Sequence, residues 1–97
     1  MNNRSHHRHV IDIEALLHFH DAGIPPAACS VVDLSVGGAR VVSSRKLDRE
    51  SISGIQIGSF GTFGTAVIWI SNAGIGLKFT EPADVMAEVV MAVAMYG

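Results

Sequence analysis

The 97-residue sequence predicts an all-β dominated domain, with six short strands followed by one C-terminal helix. Two observations support this fold class. Segments of alternating or apolar residues recur through most of the chain, and glycine or proline residues separate them. From about residue 83 the apolar residues become nearly continuous, which indicates a helix. Strands at such short intervals favour a small antiparallel barrel or a two-layer sheet.

The first two strands are predicted at residues 11–20 and 27–36, separated by a turn rich in glycine and proline. In residues 11–20 the apolar residues occupy every second position, which is the period of a half-buried strand. In residues 27–36 we expect Asp33 and Ser35 to face outward together. Their apolar neighbours would then face inward, namely Ala28, Val32, Leu34 and Val36.

The remaining elements follow a turn at the double glycine, residues 37–38. The polar and charged segment 43–54 is typical of a loop. The other strands are predicted at residues 39–43, 55–60, 64–71 and 74–79. The helix is predicted at about residues 83–96, with Pro82 suited to its first turn and Asp84 favourable near its N-terminus.

The composition fits one globular domain and excludes several classes of protein. Hydrophobic residues make up 48% of the chain, which argues against disorder. The formal net charge of −2 gives no reason to expect general affinity for nucleic acid polymers or anionic membranes. Cys29 is the one cysteine, so no internal disulfide forms. With no apolar run long enough to span a membrane and no signal peptide, we expect a soluble cytoplasmic protein.

Asp33 and the polar and glycine residues after it form a first candidate binding site. A carboxylate has only acceptors, so Asp33 matches the paired N–H donors at the edge of a guanine base. The Ser35 hydroxyl could donate to a phosphate oxygen, and Gly37 and Gly38 would let a ligand approach the backbone. By alternation, Arg40 is expected to point outward beside this site. Taken alone, the pattern is also typical of an ordinary turn.

The N-terminal segment supplies a second candidate group. Arg4 and Arg8 precede the first strand, and in an extended chain their spacing puts both side chains on one side, about 13 Å apart at the alpha carbons. Guanidinium groups pair with phosphates, bind the O6 and N7 atoms of guanine, and stack on bases. Two solvated charges on a frayed tail are the alternative for the pair taken alone.

Together, these residues resemble the PilZ domain family. The paired motif is Arg-x-x-x-Arg at Arg4 and Arg8, followed by Asp-x-Ser-x-x-Gly at Asp33, Ser35 and Gly38. The later segments GTAVIWI and GIGLKF are similar to the family's Gly-x-Val-x-Trp strand and to its closing strand. The resemblance covers nearly the whole chain, including the C-terminal helix.

The resemblance implies a six-stranded antiparallel split barrel with a C-terminal helix, in a bacterial cytoplasmic protein that binds cyclic di-GMP. It divides the chain into a flexible tail, residues 1–9, which holds an arginine clamp, and a barrel domain, residues 10–97. The ligand is expected to order the clamp and so create a composite surface for a partner protein. We expect no cofactor, no metal and no enzymatic activity.

The same resemblance assigns the ligand contacts. Arg4 and Arg8 would form the clamp on guanine and phosphate. Asp33 would accept hydrogen bonds from guanine, Ser35 would make a polar contact, and Gly38 would allow close approach of the backbone.

Two other hypotheses stay open at this point. The first is a PilZ-like module that binds a protein and no nucleotide, supported by the apolar helix with Met86, Met91 and Met95. The second is a metal site, because the chain has five histidines, of which His18 and His20 share one face of a strand. No cysteine or carboxylate lies at a recognised ligand spacing from them.

Catalysis is not expected, because the sequence contains neither a glycine-rich phosphate loop that opens a helix nor a supported Ser–His–Asp arrangement. Cys29 is predicted to be a small core or near-surface residue and not a nucleophile, and Trp69 is predicted to belong to the core.

Overall fold

The computed structural model describes residues 9–47 and 51–97 of the chain. Within these residues, six antiparallel strands close into a barrel in the order β1-β2-β3-β6-β5-β4, and a helix follows. The elements are β1 (His9–Phe19), β2 (Ala27–Leu34), β3 (Gly38–Val42), β4 (Ile52–Ile57), β5 (Gly61–Ser71), β6 (Gly74–Phe79) and α1 (Ala83–Tyr96). The predicted fold class, an antiparallel barrel with a C-terminal helix, is confirmed.

The interior of the barrel is filled by the inward-facing apolar side chains of all its strands. On β1 the predicted alternation is confirmed, since Ala15 and Leu17 are buried while Asp12 and Glu14 are exposed. Burial of a large aliphatic side chain contributes about 1.5–3 kcal/mol. The largest fully buried side chains are Leu17, Leu34, Ile55, Ile57, Leu77, Met86, Val31 and Val41.

The predicted facing of β2 is wrong over its first half. Ala28 is exposed, and the buried positions are Ala27, Cys29 and Val31. An irregularity in the pairing of β2 with β3, between Val31 and Asp33, changes the phase of the alternation. Leu34 is buried as predicted, but counting back from it by twos across the irregularity gives the wrong face.

The observed boundaries of β4 and β5 differ from the predicted ones, because glycine residues that suggest a break lie within the strands. β4 begins at Ile52 and ends at Ile57, so residues 52–54 are strand and not loop. Gly54 lies inside β4, where an added β-carbon would come 2.7 Å from the carbonyl oxygen of Phe63 on β5. Glycine at this position allows close approach of two strands, whereas the sequence pattern suggests a break.

Helix α1 begins and ends at the predicted residues. Pro82 precedes it and its carbonyl accepts a 3.1 Å hydrogen bond from the Met86 N–H, while Asp84 lies in the first turn. At the other end, the Gly97 N–H donates to the Val93 carbonyl at 2.8 Å. The helix has 14 residues, and no helix in the described ranges has the length and apolar character to span a membrane.

The antiparallel pairing brings several chain segments together at one end of the barrel, which we call the helix end. The start of β1, the β2–β3 turn and the end of β6 all lie there. Helix α1 packs on this end and buries Met86, Val90 and Val93 against the core. Gly97 lies beside Ile13, since an added β-carbon would come 2.6 Å from Ile13 Cδ1.

Candidate ligand-binding site

The β2–β3 turn is held together by hydrogen bonds between Ser35 and Gly38. The Ser35 N–H donates to the Gly38 carbonyl at 2.8 Å, and the Gly38 N–H donates to the Ser35 carbonyl at 3.3 Å. The Ser35 hydroxyl also lies 3.3 Å from both the carbonyl and the N–H of Gly38. Ser35 is 3% exposed, so the prediction that it faces outward is wrong. β2 ends at Leu34, and strand alternation does not extend into the turn.

Gly37 and Gly38 connect this turn to β6. The Gly37 carbonyl accepts a 3.0 Å hydrogen bond from the Phe79 N–H. A β-carbon added at Gly38 would overlap the carbonyl oxygen of Leu77. The absence of a side chain at Gly38 therefore allows close approach of β3 to β6, a role in the fold that the sequence pattern did not indicate.

Asp33 belongs to a row of residues that crosses the outside of the barrel on five adjacent strands. The alpha carbons pair in the order Val10, Asp33, Arg40, Gly76 and Trp69, and we call this set the outer row. Arg40 and Gly76 face outward, because the residues on either side of each along the strand are buried. Residues directly opposite on neighbouring strands share a face, so Asp33 also faces outward.

Two residues of opposite charge occupy neighbouring positions in the middle of the outer row. Asp33 on β2 and Arg40 on β3 lie directly opposite each other, and both side chains are half-buried. Nη1 of Arg40 donates a 2.9 Å hydrogen bond to the Ala73 carbonyl in the β5–β6 turn. The row thus contains an acidic and a basic residue on adjacent strands, with the guanidinium at the β5–β6 turn, and Arg40 points outward as its alternation with buried neighbours predicts.

Trp69 forms the far end of the outer row. Its indole ring covers the outward side of Gly76, where an added β-carbon would overlap the ring. The sequence placed Trp69 in the core, but the half-buried ring lies on the outside of the barrel. A shift in the pairing of β5 with β6, between Val67 and Trp69, changes the face on which the ring lies. An aromatic plane in this position is a surface on which a base can stack.

The chain enters the barrel at the near end of the outer row. β1 begins at His9, which pairs with Leu34, and the next residue, Val10, pairs with Asp33 and is 90% exposed. Arg4 and Arg8 lie outside the described residues. In the sequence Arg8 immediately precedes His9, so the arginine segment joins the barrel beside Asp33.

Cys29 lies on the inward side of β2. Burial raises the pKa of its thiol to about 11. The thiol therefore stays protonated at neutral pH, and a protonated thiol is a poor nucleophile. Its place in the core agrees with the sequence-based expectation.

The histidines of β1 do not join other metal-ligating side chains in the described structure. Nε2 of His18 lies 3.3 Å from Oε1 of Gln56. Within residues 9–47 and 51–97, no three His, Cys, Asp or Glu side chains are placed to hold a metal ion. His6 and His7 lie outside the described residues.

Comparisons with known proteins identify the family. Among solved structures, the chain is similar to the crystal structure of YcgR in complex with c-di-GMP from Escherichia coli, with a TM-score of 0.68 and 16% sequence identity, which shows a shared fold. The match covers 98% of this chain and 46% of that one, so this chain spans less than half the length of its neighbour. No curated protein matches the sequence. The sequence model of the PilZ domain matches residues 2–92, nearly the whole chain, and the protein therefore belongs to the PilZ domain family.

Proposed function

We propose that this chain is a non-catalytic, cytoplasmic receptor module for cyclic di-GMP. The observation that supports this most directly is the outer row, in which Asp33, Arg40 and Trp69 share one face of the barrel. An acceptor, a guanidinium and an aromatic plane are the groups that a guanine nucleotide needs. Membership of the PilZ family and the fold shared with a protein crystallised with c-di-GMP point to the same ligand.

Asp33 is the proposed guanine acceptor. Its position on the outside of β2, beside the turn, lets the carboxylate accept from the N1–H and N2–H₂ donors of one base. Replacement of this carboxylate leaves two donors of a partly desolvated base without partners, which costs more than the hydrogen bonds themselves. We therefore expect Asp33 to be essential for measurable binding.

Arg4 and Arg8 are the proposed clamp. If the chain stays extended for one residue before His9, the side chain of Arg8 shares the outward face of Val10, directly beside Asp33. Four further residues bring Arg4 to the same side of an extended chain. Guanidinium groups in these positions would bind the phosphates and the O6 and N7 edge of guanine from above the barrel.

The other outer-row residues extend the proposed site across the barrel. Arg40 is opposite Asp33 on the neighbouring strand, and its guanidinium, which donates to the Ala73 carbonyl, is proposed to offer charge to a phosphate. The Trp69 ring, separated from Arg40 by Gly76, offers a stacking surface for a base. We add Trp69 to the site residues expected from the sequence.

The β2–β3 turn serves the ligand mainly through its shape. Ser35 binds Gly38 and, with Gly37 and Gly38, fixes the backbone beside Asp33. Ser35 remains a proposed polar contact, with the condition that a ligand atom must lie directly against the turn, since the residue is nearly fully buried.

Binding is proposed to order the clamp and to create the surface that a protein partner recognises. Fixing the backbone of one residue costs about 1–2 kcal/mol of conformational entropy. Contacts with the ligand must therefore offset this cost for each clamp residue that becomes ordered. A bidentate contact between arginine and guanine contributes about 1–3 kcal/mol, and pairing with phosphate adds to this. The ligand and the ordered segment together would then form an epitope that neither provides alone.

Calorimetric titration of cyclic di-GMP tests the proposal. Loss of one bidentate contact of about 1–3 kcal/mol predicts that Arg8→Ala weakens binding by about 5- to 150-fold. Asp33→Ala should abolish measurable binding. Arg45→Ala is the matched control, because Arg45 is exposed at the opposite end of the barrel, where its guanidinium lies 5.9 Å from the Phe19 ring centroid. Wild-type affinity in both site variants, with the fold intact, would contradict the site assignment.

A second candidate function is protein binding without a nucleotide. Its support is the outer side of α1, where Met91 and Met95 are 64% and 65% exposed and Tyr96 is 77% exposed. The same titration separates the two functions. A chain that keeps its fold and shows no heat of binding with cyclic di-GMP at millimolar concentration would favour the protein-binding module.

A further inference from the structure

Lys78 lies on the outside of the barrel, in a row of residues next to the outer row. It belongs to β6, where its neighbours along the strand, Leu77 and Phe79, are buried while Lys78 is exposed. Two positions separate Lys78 from Gly76 of the outer row, so the two residues share one face of β6. The pairing of β6 with β3 is regular over this stretch, so the alternation keeps its phase. Lys78 therefore adds a cation to the face that carries Asp33.

The positions on both sides of Lys78 leave space around its side chain. Lys78 lies directly opposite Gly38 on β3 and opposite Ala66 on β5. Gly38 has no side chain, and Ala66 is exposed and has only a methyl group. Gly38 is also the residue whose hydrogen bonds with Ser35 close the β2–β3 turn. The side chain of Lys78 thus begins beside this turn, with no bulky neighbour between the two.

Arg40 and Lys78 differ in what their charged groups contact. The Arg40 guanidinium donates to the Ala73 carbonyl at 2.9 Å, so the β5–β6 turn uses part of its hydrogen-bonding capacity. Within residues 9–47 and 51–97, no hydrogen bond or ion pair engages the ammonium group of Lys78. An ammonium group has three N–H donors, and an anion can bind those of Lys78 without displacing a contact within these residues.

The spacing on this face suits a ligand with several recognition elements. Diagonal neighbours on adjacent strands lie about 7–8 Å apart, and Lys78 has this relation to both Arg40 and Trp69. Asp33 is two strands away from Lys78, at about 12 Å between alpha carbons for ordinary strand spacing and rise. A cyclic dinucleotide has two bases and two phosphates. Asp33 and Trp69 suit the bases, whereas an ammonium group is a compact charge that suits a phosphate.

We propose that Lys78 is a phosphate-binding residue of the barrel and holds one phosphate of cyclic di-GMP beside the β2–β3 turn. This inference rests on the proposed function and extends it. The clamp would contact the ligand from above the barrel, while Lys78 would bind it from the barrel itself. A phosphate in this position would lie beside Gly38, close enough to the turn for the polar contact proposed for Ser35.

NMR spectroscopy of the lysine side chains tests this contact directly. The chain has two lysines, Lys46 and Lys78, so protein made with ¹³C-labelled lysine gives two sets of side-chain signals. The Lys46→Gln variant assigns them. We expect saturating cyclic di-GMP to shift the signals of the methylene group next to the Lys78 ammonium and to leave those of Lys46 unchanged. Unchanged Lys78 signals at saturation would overturn the proposal.

Calorimetry with matched charge substitutions measures the size of the effect. A partly exposed contact between an ammonium group and a phosphate lies between an exposed ion pair and a buried charged hydrogen bond, so Lys78→Gln should weaken binding about 5- to 10-fold. Lys78→Arg keeps the charge and should stay within twofold of wild type. Lys46→Gln, the same change at an exposed residue after β3, should leave the affinity unchanged. All three variants should keep the wild-type thermal midpoint, because both lysines are exposed.

The same titrations separate this inference from the proposed function. Binding that Asp33→Ala abolishes and Lys78→Gln weakens less than twofold would overturn the role of Lys78 and leave the proposed function in place. An equal loss in Lys46→Gln and Lys78→Gln would also overturn this role, because it would reflect net charge and not position. A folded wild-type chain that does not bind cyclic di-GMP would contradict both.

Discussion

Two parts of one short segment, residues 33–40, differ in what they contact. Ser35 and Gly38 contact the protein itself, through hydrogen bonds across the turn and through the close approach of β3 to β6. Asp33 and Arg40 lie on the outer row, half-buried and directly opposite each other. Under the proposed function, neighbouring residues of this segment serve the fold and the ligand separately. Substitutions in the two parts should have separable effects on stability and on binding.

The largest effect is expected for Gly38→Ala, which tests the fold side of this comparison. The added β-carbon would overlap the Leu77 carbonyl, and backbone atoms cannot move away as a flexible side chain can. Overpacking of this kind costs about 1–3 kcal/mol, so we expect the free energy of unfolding in urea to fall by that amount.

Gly23→Ala is the matched control for this variant. At exposed Gly23 the nearest atom to an added β-carbon is the side-chain oxygen of Asp21, at 3.3 Å. We expect a change within about 0.5 kcal/mol. Equal stability of the two alanine variants would show that Gly38 is not needed for the packing of β3 on β6.

A smaller effect is expected for Trp69→Leu, which tests the ligand side. Stacking of a base on an aromatic ring contributes about 1–3 kcal/mol, and leucine retains part of the apolar cover over Gly76. We therefore expect the affinity for cyclic di-GMP to fall about fivefold, with the thermal midpoint little changed. Trp69 is the one tryptophan, so its fluorescence should also respond to ligand in the wild type. A fluorescence signal insensitive to saturating ligand would remove Trp69 from the site.

The smallest effect is expected for Ser35→Ala, which distinguishes the two roles of one residue. The hydrogen bonds of its hydroxyl are long, at 3.3 Å, and their loss should lower the free energy of unfolding by about 0.5–1 kcal/mol. If Ser35 serves mainly the turn, the affinity for cyclic di-GMP should change less than twofold. A tenfold loss of affinity at unchanged stability would instead assign Ser35 to direct ligand contact.

Much of the fold could be predicted because it depends on local patterns. The alternation in β1 and the change of period at α1 are properties of adjacent residues, and both agree with the structure. The facing of β2 and the outward position of Trp69 depend on shifts in strand pairing, at Val31 to Asp33 and at Val67 to Trp69. Such shifts depend on how two strands pair with each other, so the alternation of residues within either strand does not reveal them.

The candidate site could be predicted by residue type but not by arrangement. Asp33 and Arg40 both face outward as their positions suggested, and their direct pairing across β2 and β3 follows from the turn between them. The sequence did not indicate that Trp69 completes the same row, because three strand pairings separate it from Asp33. Nor did it indicate that Gly38 is crowded by β6, a contact made by residues 39 positions apart.

Closure of the barrel determines how another protein can recognise this chain. Each of the described strands has a hydrogen-bonded neighbour on both sides, but β1 pairs with β4 only from Ala15 onward and β5 pairs with β4 only up to Gly64. Recruitment by strand addition, which uses the N–H and C=O groups of an edge strand, can therefore involve at most the short parts of β1 and β5 beyond these pairings. Over the rest of the barrel another protein must recognise side chains, and these can change without remodelling the scaffold.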